Sequence, residues 1–130
     1  MAKRACIALI NDDTAFLDLM RDLLQEAEGH EVLCCKEGDG AWDFVKAHRP
    51  DMVLLDIRMG SPEMGWTILE LLTLDPATRP IPLIVCSAAI RELKDHEAYL
   101  AQYGVDVMPK PFDLDHLLEK VASALARGRR

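Results

Sequence analysis

The sequence has no long hydrophobic run, no excess of positive charge and no repeated Cys or His spacing. Its apolar runs reach only four to six residues, whereas a helix that spans a bilayer needs about 20. The 15 Lys and Arg residues against 22 Asp and Glu residues give a formal net charge of −7, which opposes binding to nucleic acid and to anionic lipid. We therefore expect neither a membrane protein nor a direct nucleic-acid binder.

The cysteines and histidines do not form a ligand pattern. The cysteines lack CxxC spacing and mostly lie inside apolar runs, where Cys behaves as a small core residue; they are Cys6, Cys34, Cys35 and Cys86. The histidines are equally scattered, so a zinc site is not expected; they are His30, His48, His96 and His116. The apolar stretch after the basic start ends at Ile10, too early for a secretion signal, and we expect a cytoplasmic protein.

Five short apolar runs alternate with segments of helical periodicity. Continuous rather than alternating hydrophobicity is typical of strands buried on both faces, as in a parallel sheet covered by helices. The runs are residues 5–10, 32–35, 52–55, 83–86 and 105–108. This order predicts one doubly wound α/β domain over residues 1–126, followed by a basic tail at 127–130.

The five intervening segments have helix start and stop signals. The first carries apolar residues at helical spacing from Phe16 to Ala27 and stops at Gly29. The others are predicted from a cap at Asp39 to Arg49, over 66–72 before Asp75-Pro76, over 90–103, and after a cap at Asp113. The 90–103 helix has a thin apolar stripe, so part of it is expected to face water or a partner.

Charged and hydroxyl residues follow several of the predicted strands. Asp12 and Asp13 follow the first strand, Asp56 the third, Ser87 the fourth and Lys110 the fifth. In a parallel sheet with right-handed crossovers these positions share one edge, where ligands bind. Clustered carboxylates disfavour each other's charge unless a cation lies among them, and oxygen ligands without His or Cys favour Mg²⁺. A lysine and a hydroxyl beside such a metal would complete a phosphoryl site.

Each residue also has a simpler interpretation when taken singly. Asp12 and Asp13 could complement the dipole of the helix that follows. Ser87 could be a turn residue, and Lys110 could be a solvated charge. Their coincidence at one sheet edge favours the phosphoryl site.

Four segments resemble the receiver domains of two-component response regulators. They are residues 10–13 (Ile-Asn-Asp-Asp), 50–59 around Asp56, 81–88 ending in Ser87-Ala88, and 110–112 (Lys-Pro-Phe). The resemblance spans nearly the whole chain. It implies a flavodoxin-like (βα)5 fold with the strand order 2-1-3-4-5.

The resemblance also implies a role for individual residues. Asp56 would be the phosphoacceptor, and Asp12, Asp13, Asp56 and the backbone carbonyl of Arg58 would hold Mg²⁺. The phosphoryl group would come from a sensor histidine kinase or a phosphotransfer protein. The chain would be a signalling phosphoacceptor rather than an enzyme, and would catalyse only its own phosphorylation and slow dephosphorylation. The switch and phosphoryl contacts would come from Ser87, Ala88, Val107 and Lys110, with a cis bond before Pro111.

This sequence departs from the family pattern at two places. Val107 stands where receivers usually carry Tyr or Phe, three residues before the lysine. Gly60 stands where Pro is usual, and the loop that contains it is one residue longer, which suggests a more mobile loop. Arg58 and Ala89 resemble the variable positions that set the lifetime of the phosphoryl group.

Two hypotheses of different classes follow, with a third as a distant option. The leading hypothesis is a stand-alone receiver that acts as a relay or by binding a partner. Phosphorylation would switch a protein-binding surface made by the fourth helix, fifth strand and last helix, and the same surface can serve for homodimerisation. The alternative is a module that is not phosphorylated and uses the same surface constitutively. An FMN-binding flavodoxin is disfavoured because the first loop offers carboxylates instead of a phosphate cradle.

Overall fold

A parallel sheet of five strands forms the centre of the chain. The computed structural model describes residues 4–58, 61–111 and 113–127. The strands are paired in the order β2-β1-β3-β4-β5, which confirms the predicted fold class. They are β1 (Cys6–Ile10), β2 (Glu31–Cys35), β3 (Met52–Asp56), β4 (Leu83–Ser87) and β5 (Asp106–Pro109).

Helices cover both faces of the sheet. They are α1 (Thr14–Arg21), which continues as a π-helical segment (Asp22–Ala27), α2 (Ala41–His48), α3 (Pro62–Leu74), α4 (Ile90–Asp95), α5 (Glu97–Gln102) and α6 (Leu114–Arg127). On β3, Val53 and Leu55 pack toward α2 and α3, whereas Met52 and Leu54 pack toward α1 and α6. β1, β3 and β4 are therefore buried on both faces, which explains their continuous apolar runs. Within the described part of the chain no helix is long and apolar enough to cross a bilayer.

The first predicted helix changes geometry halfway along its length. After Arg21 the backbone adopts a π-helix, and the N–H of Glu28 bonds to the carbonyl of Leu23, five residues earlier. A π turn holds more residues than an α turn, so side chains at α-helical spacing no longer share one face. Leu24 is buried, but Ala27 is exposed, and the predicted apolar stripe ends one turn early.

The predicted helix over 90–103 is two short helices that meet at His96. The imidazole Nδ1 of His96 lies 2.9 Å from the carbonyl oxygen of Glu92, which also accepts the backbone N–H of His96 at 3.1 Å. The imidazole ring stacks on Trp66 of α3, with 3.8 Å between ring centroids. The side chain at the junction of the two helices is thus held both by α4 and by α3.

Three helix boundaries also differ from the sequence prediction. α3 begins at Pro62, earlier than predicted, because Ser61 caps it and proline is well suited to the first helical position. α2 is preceded by Gly40 in a left-handed conformation, so the predicted cap, Asp39, lies outside it. Arg127, assigned above to the tail, is the last residue of α6 and forms an ion pair with Asp106.

Candidate functional site

Asp56 and Lys110 meet at the carboxyl edge of the sheet. Asp56 is the last residue of β3 and is 8% exposed, and Lys110 directly follows β5. The ammonium Nζ of Lys110 lies 3.4 Å from Oδ2 of Asp56. A carboxylate this buried is costly unless a cation or hydrogen bonds compensate its charge, and the Lys110 ammonium is such a cation.

Backbone contacts fix both partners of this pair. The N–H of Arg58 donates to Oδ1 of Asp56 at 3.2 Å, and the N–H of Lys110 donates to the carbonyl of Ser87 at 2.8 Å. The Lys110–Pro111 peptide bond is cis. The Lys110 ammonium also lies 5.6 Å from the ring centroid of Phe16, so the lysine is held between the sheet edge and α1.

Ser87 ends β4 on the same edge. It is 1% exposed, and its Oγ accepts the N–H of Ala89 at 3.0 Å. The hydroxyl therefore fixes the first turn of the loop between β4 and α4, which matches the simpler turn interpretation. Ala88, between them, is exposed, and Ala89 is half-buried.

The acidic pair after β1 is arranged differently. Asp13 caps α1: its Oδ1 accepts the N–H groups of Ala15 at 3.0 Å and of Phe16 at 3.3 Å. Its own N–H donates to the side chain of Asn11 at 2.8 Å. Asp12 and Asp13 are both exposed. In the described ranges no three His, Cys, Asp or Glu side chains are grouped closely enough to hold a metal ion.

Two residues that support this site were not singled out from the sequence. Gly65 of α3 lies against the backbone of Ile57, where an added Cβ would be 1.8 Å from the Ile57 carbonyl oxygen. Only glycine permits this approach, which positions the segment directly after Asp56. Asn11 is 2% exposed and orients Asp13. A glycine inside a helical pattern was the available signal for Gly65.

The remaining predicted positions lie near this edge or outside the described residues. Val107 is half-buried on β5 and packs against the core cluster beneath α3 and α4. The Arg58 side chain is exposed. Gly60, on which the prediction of a mobile loop depended, lies outside the described residues.

The fold and this set of residues define a two-component receiver, and comparisons with known proteins show the same. The sequence profile of the response regulator receiver domain matches residues 7–122, and the chain belongs to this family. It is 31% identical over 121 residues to the polar-differentiation response regulator DivK of Brucella anthropi, which covers 92% of this chain and 94% of that protein.

Solved structures show the same fold. The N-terminal domain of a response regulator receiver protein from Methanoculleus marisnigri JR1 is 30% identical, with a TM-score of 0.67, covering 98% of this chain and all of that one. The receiver domain of the sensor histidine kinase PA1611 from Pseudomonas aeruginosa PAO1 is 20% identical, with a TM-score of 0.77 over 95% and 99% of the two chains. That domain carries a magnesium ion in its active-site cleft.

Proposed function

We propose that this receiver accepts a phosphoryl group on Asp56 from a phosphohistidine of a sensor kinase or a phosphotransfer protein. The observation that carries the proposal is the buried Asp56 carboxylate with the Lys110 ammonium 3.4 Å away. Phosphoryl transfer depends on positioning and on charge compensation. Asp56 and Lys110 supply a nucleophile and a cation at a sheet edge where ligands bind.

The phosphoryl transfer requires only a few groups of the protein. A carboxylate oxygen of Asp56 attacks phosphorus, the P–N bond of the phosphohistidine breaks, and its electron pair stays on the imidazole nitrogen. Lys110 balances the charge on the phosphoryl oxygens. The hydrogen bond from the Arg58 N–H holds the carboxylate in place. Water later attacks phosphorus, releasing phosphate and restoring the Asp56 carboxylate.

The donor chemistry at this edge fits Mg²⁺. Asp12, Asp13, Asp56 and the backbone carbonyl of Arg58 are oxygen donors, which Mg²⁺ prefers. Asp13 caps α1 through Oδ1, and a carboxylate has a second oxygen for another interaction. When bound, Mg²⁺ would neutralise part of the charge on the phosphoryl group.

We further propose that phosphorylation is read through the residues after β4 and on β5. Phosphoryl oxygens would attract the Ser87 hydroxyl and the Ala88 N–H and so compete with the bond from the Ala89 N–H. The surface of α4, α5, β5 and α6 would then change its affinity for a downstream protein or a second copy. Val107 would occupy the switch position where receivers usually carry Tyr or Phe. Arg58 and Ala89 would set the lifetime of the phosphoryl group.

The interaction module that works without phosphorylation is not favoured by these findings. It gives no role to the Lys110–Asp56 pair. If it were correct, Asp56→Asn would leave the binding of a partner unchanged under phosphorylating conditions.

The test is phosphorylation with acetyl phosphate and Mg²⁺, followed by intact mass spectrometry. We expect the wild type to gain one phosphoryl group and Asp56→Asn to gain none, whereas Asp95→Asn, at an exposed position of α4, behaves as the wild type. Lys110→Met should slow the gain by about 10²- to 10³-fold, the usual cost of removing one preorganised charge contact. Equal labelling of Asp56→Asn and the wild type would refute the proposal.

A further inference from the structure

A groove between α2 and α3 has no part in the proposed phosphoryl chemistry. Its volume is about 350 Å³. The apolar part of its wall comes from Trp42 on α2 and from Met64, Ile68 and Leu71 on α3. Leu71 is 40% exposed, so a large aliphatic side chain faces water at the mouth of the groove.

The rim of this groove is acidic. Asp39, Asp43 and Glu63 line it, and all three are exposed. The described lining residues include no Lys, Arg or His. Because these carboxylates surround an apolar floor, the groove is complementary to a cationic surface that also presents apolar side chains.

The groove is built into the packing of the two helices. An added Cβ at Gly38 would lie 2.5 Å from Cγ of Met64, so the Met64 side chain lies directly over the glycine. The Trp42 indole is fixed by a hydrogen bond from its Nε1 to Asp75 at 3.0 Å, and the Lys46 ammonium lies 4.6 Å from the ring centroid. A preformed site of this kind loses little entropy when it binds a partner.

The groove also continues toward the candidate phosphoryl site. A second cleft of about 380 Å³ shares Gly38, Asp39, Ser61 and Met64 with it and extends past Lys36 and Glu37 to Asp12. Ser61 caps α3. Gly65, in the first turns of the same helix, packs against the backbone segment that follows Asp56. An occupant of the groove would therefore lie beside the acidic edge of the sheet.

We propose that this groove docks a polypeptide segment of a partner protein in which large apolar side chains are flanked by Lys or Arg. The apolar side chains would cover Leu71 and Met64, and the basic ones would meet Asp39, Asp43 and Glu63. A second copy of this chain is a poorer occupant, because it carries a net charge of −7 and would oppose the acidic rim. A nucleic acid would be repelled for the same reason.

The test is selection of a random peptide library displayed on phage against the immobilised wild-type chain, followed by titration of synthetic copies of the selected peptides. We expect the selected sequences to be enriched in Lys or Arg beside large apolar residues. Amide chemical shifts should change at residues 38–43 and 63–71, and binding should weaken as salt is raised.

Two double variants of α3 localise the binding. Glu63→Gln with Leu71→Ser removes one rim charge and the exposed floor residue, and should weaken binding about tenfold or more. The control is Glu70→Gln with Leu74→Ser, which makes the same changes at exposed positions of the same helix. Neither residue lines the groove, and Leu74 is 54% exposed. It should change affinity less than about twofold. Urea unfolding of both variants checks that each is folded.

Three results would overturn the proposal. These are failure to select basic and apolar peptides, equal binding by the two double variants, and chemical-shift changes confined to α4 and β5. Sedimentation analysis adds a fourth: self-association that the groove variant abolishes would assign the groove to a second copy instead.

Discussion

The candidate site has two halves that are built in different ways. One half, the sheet half, consists of Asp56, Ser87 and Lys110, which lie at or next to strand ends. The other, the loop half, consists of Asp12 and Asp13, which are exposed after β1. In the sheet half, strand pairing and backbone bonds hold the side chains. In the loop half, Asp13 is held by the helix that it caps.

This difference separates what each half can do. The sheet half is preorganised, because Asp56 and Ser87 are buried at the ends of their strands and cannot rearrange without disturbing β3 and β4. The loop half is open to water, and one of its carboxylates already serves the end of α1. A metal bound there would share Asp13 with the helix, so the stability of α1 and metal affinity would depend on the same side chain.

The largest effect is expected at Cys86, which lies beside Asp56 in the register of β3 and β4. It is 1% exposed, and burial raises the pKa of its thiol to about 12 from an ordinary 9.0. The difference, 12 − 9, corresponds to roughly a thousandfold smaller fraction of the reactive thiolate. We expect Cys86 to be the slowest of the four thiols to react with iodoacetamide at pH 8 in the presence of a chelator.

Peptide mass spectrometry after timed quenching measures this reaction. Because the thiolate is the minor form below the pKa, the rate should rise as pH increases. Unfolding in urea should make the four cysteines react at similar rates. If native Cys86 reacts as fast as half-buried Cys34, the sheet half is accessible to solvent, and the two halves of the site do not differ in preorganisation as we infer.

The next effect tests how the backbone positions the sheet half. Gly65→Ala places a Cβ where the structure leaves 1.8 Å to the Ile57 carbonyl oxygen, so either α3 or the segment after Asp56 must move. We expect a loss of about 3 kcal/mol in the free energy of unfolding, at the upper end for overpacking. Urea denaturation measures the loss.

Thr67→Ala on the exposed side of the same helix is the control for Gly65→Ala. It should change stability by less than about 0.5 kcal/mol. If Gly65→Ala were equally mild, α3 would have room to shift without cost, and the close approach to Ile57 would not define the position of Asp56.

The sequence predicts the sheet half better than the loop half and the helices. Buried strands appear as continuous apolar runs, and their carboxyl ends share one edge, so Asp56, Ser87 and Lys110 could be placed from spacing alone. From the sequence, Asp13 was compatible with either a charge that complements the dipole of α1 or a metal ligand. Both roles use the same carboxylate, and only the hydrogen bonds to Ala15 and Phe16 show that the cap is formed.

The helix interruptions could not be predicted from local patterns. The residues of the π-helical segment would also suit an α-helix. The two forms differ only in which backbone carbonyl accepts each N–H. At the interruption, the His96 ring stacks on Trp66, which is 30 positions earlier in the sequence, and a local pattern does not report a contact of this kind. The start of α3 had a readable signal in Ser61-Pro62, which the apolar pattern beginning at Trp66 obscured.

The smallest effect separates the two roles of Asp13. Asp13→Ala removes both the cap and the charge and should cost about 1 kcal/mol of unfolding free energy, whereas Asp13→Asn keeps a capping oxygen and should cost less than about 0.5 kcal/mol. Both variants should weaken Mg²⁺ binding about tenfold or more, because the ligand charge is lost in each. Urea denaturation and calorimetric titration with Mg²⁺ give the two readouts. If Asp13→Asn binds Mg²⁺ as well as the wild type, Asp13 serves α1 alone, and the loop half contributes to the metal site only through Asp12.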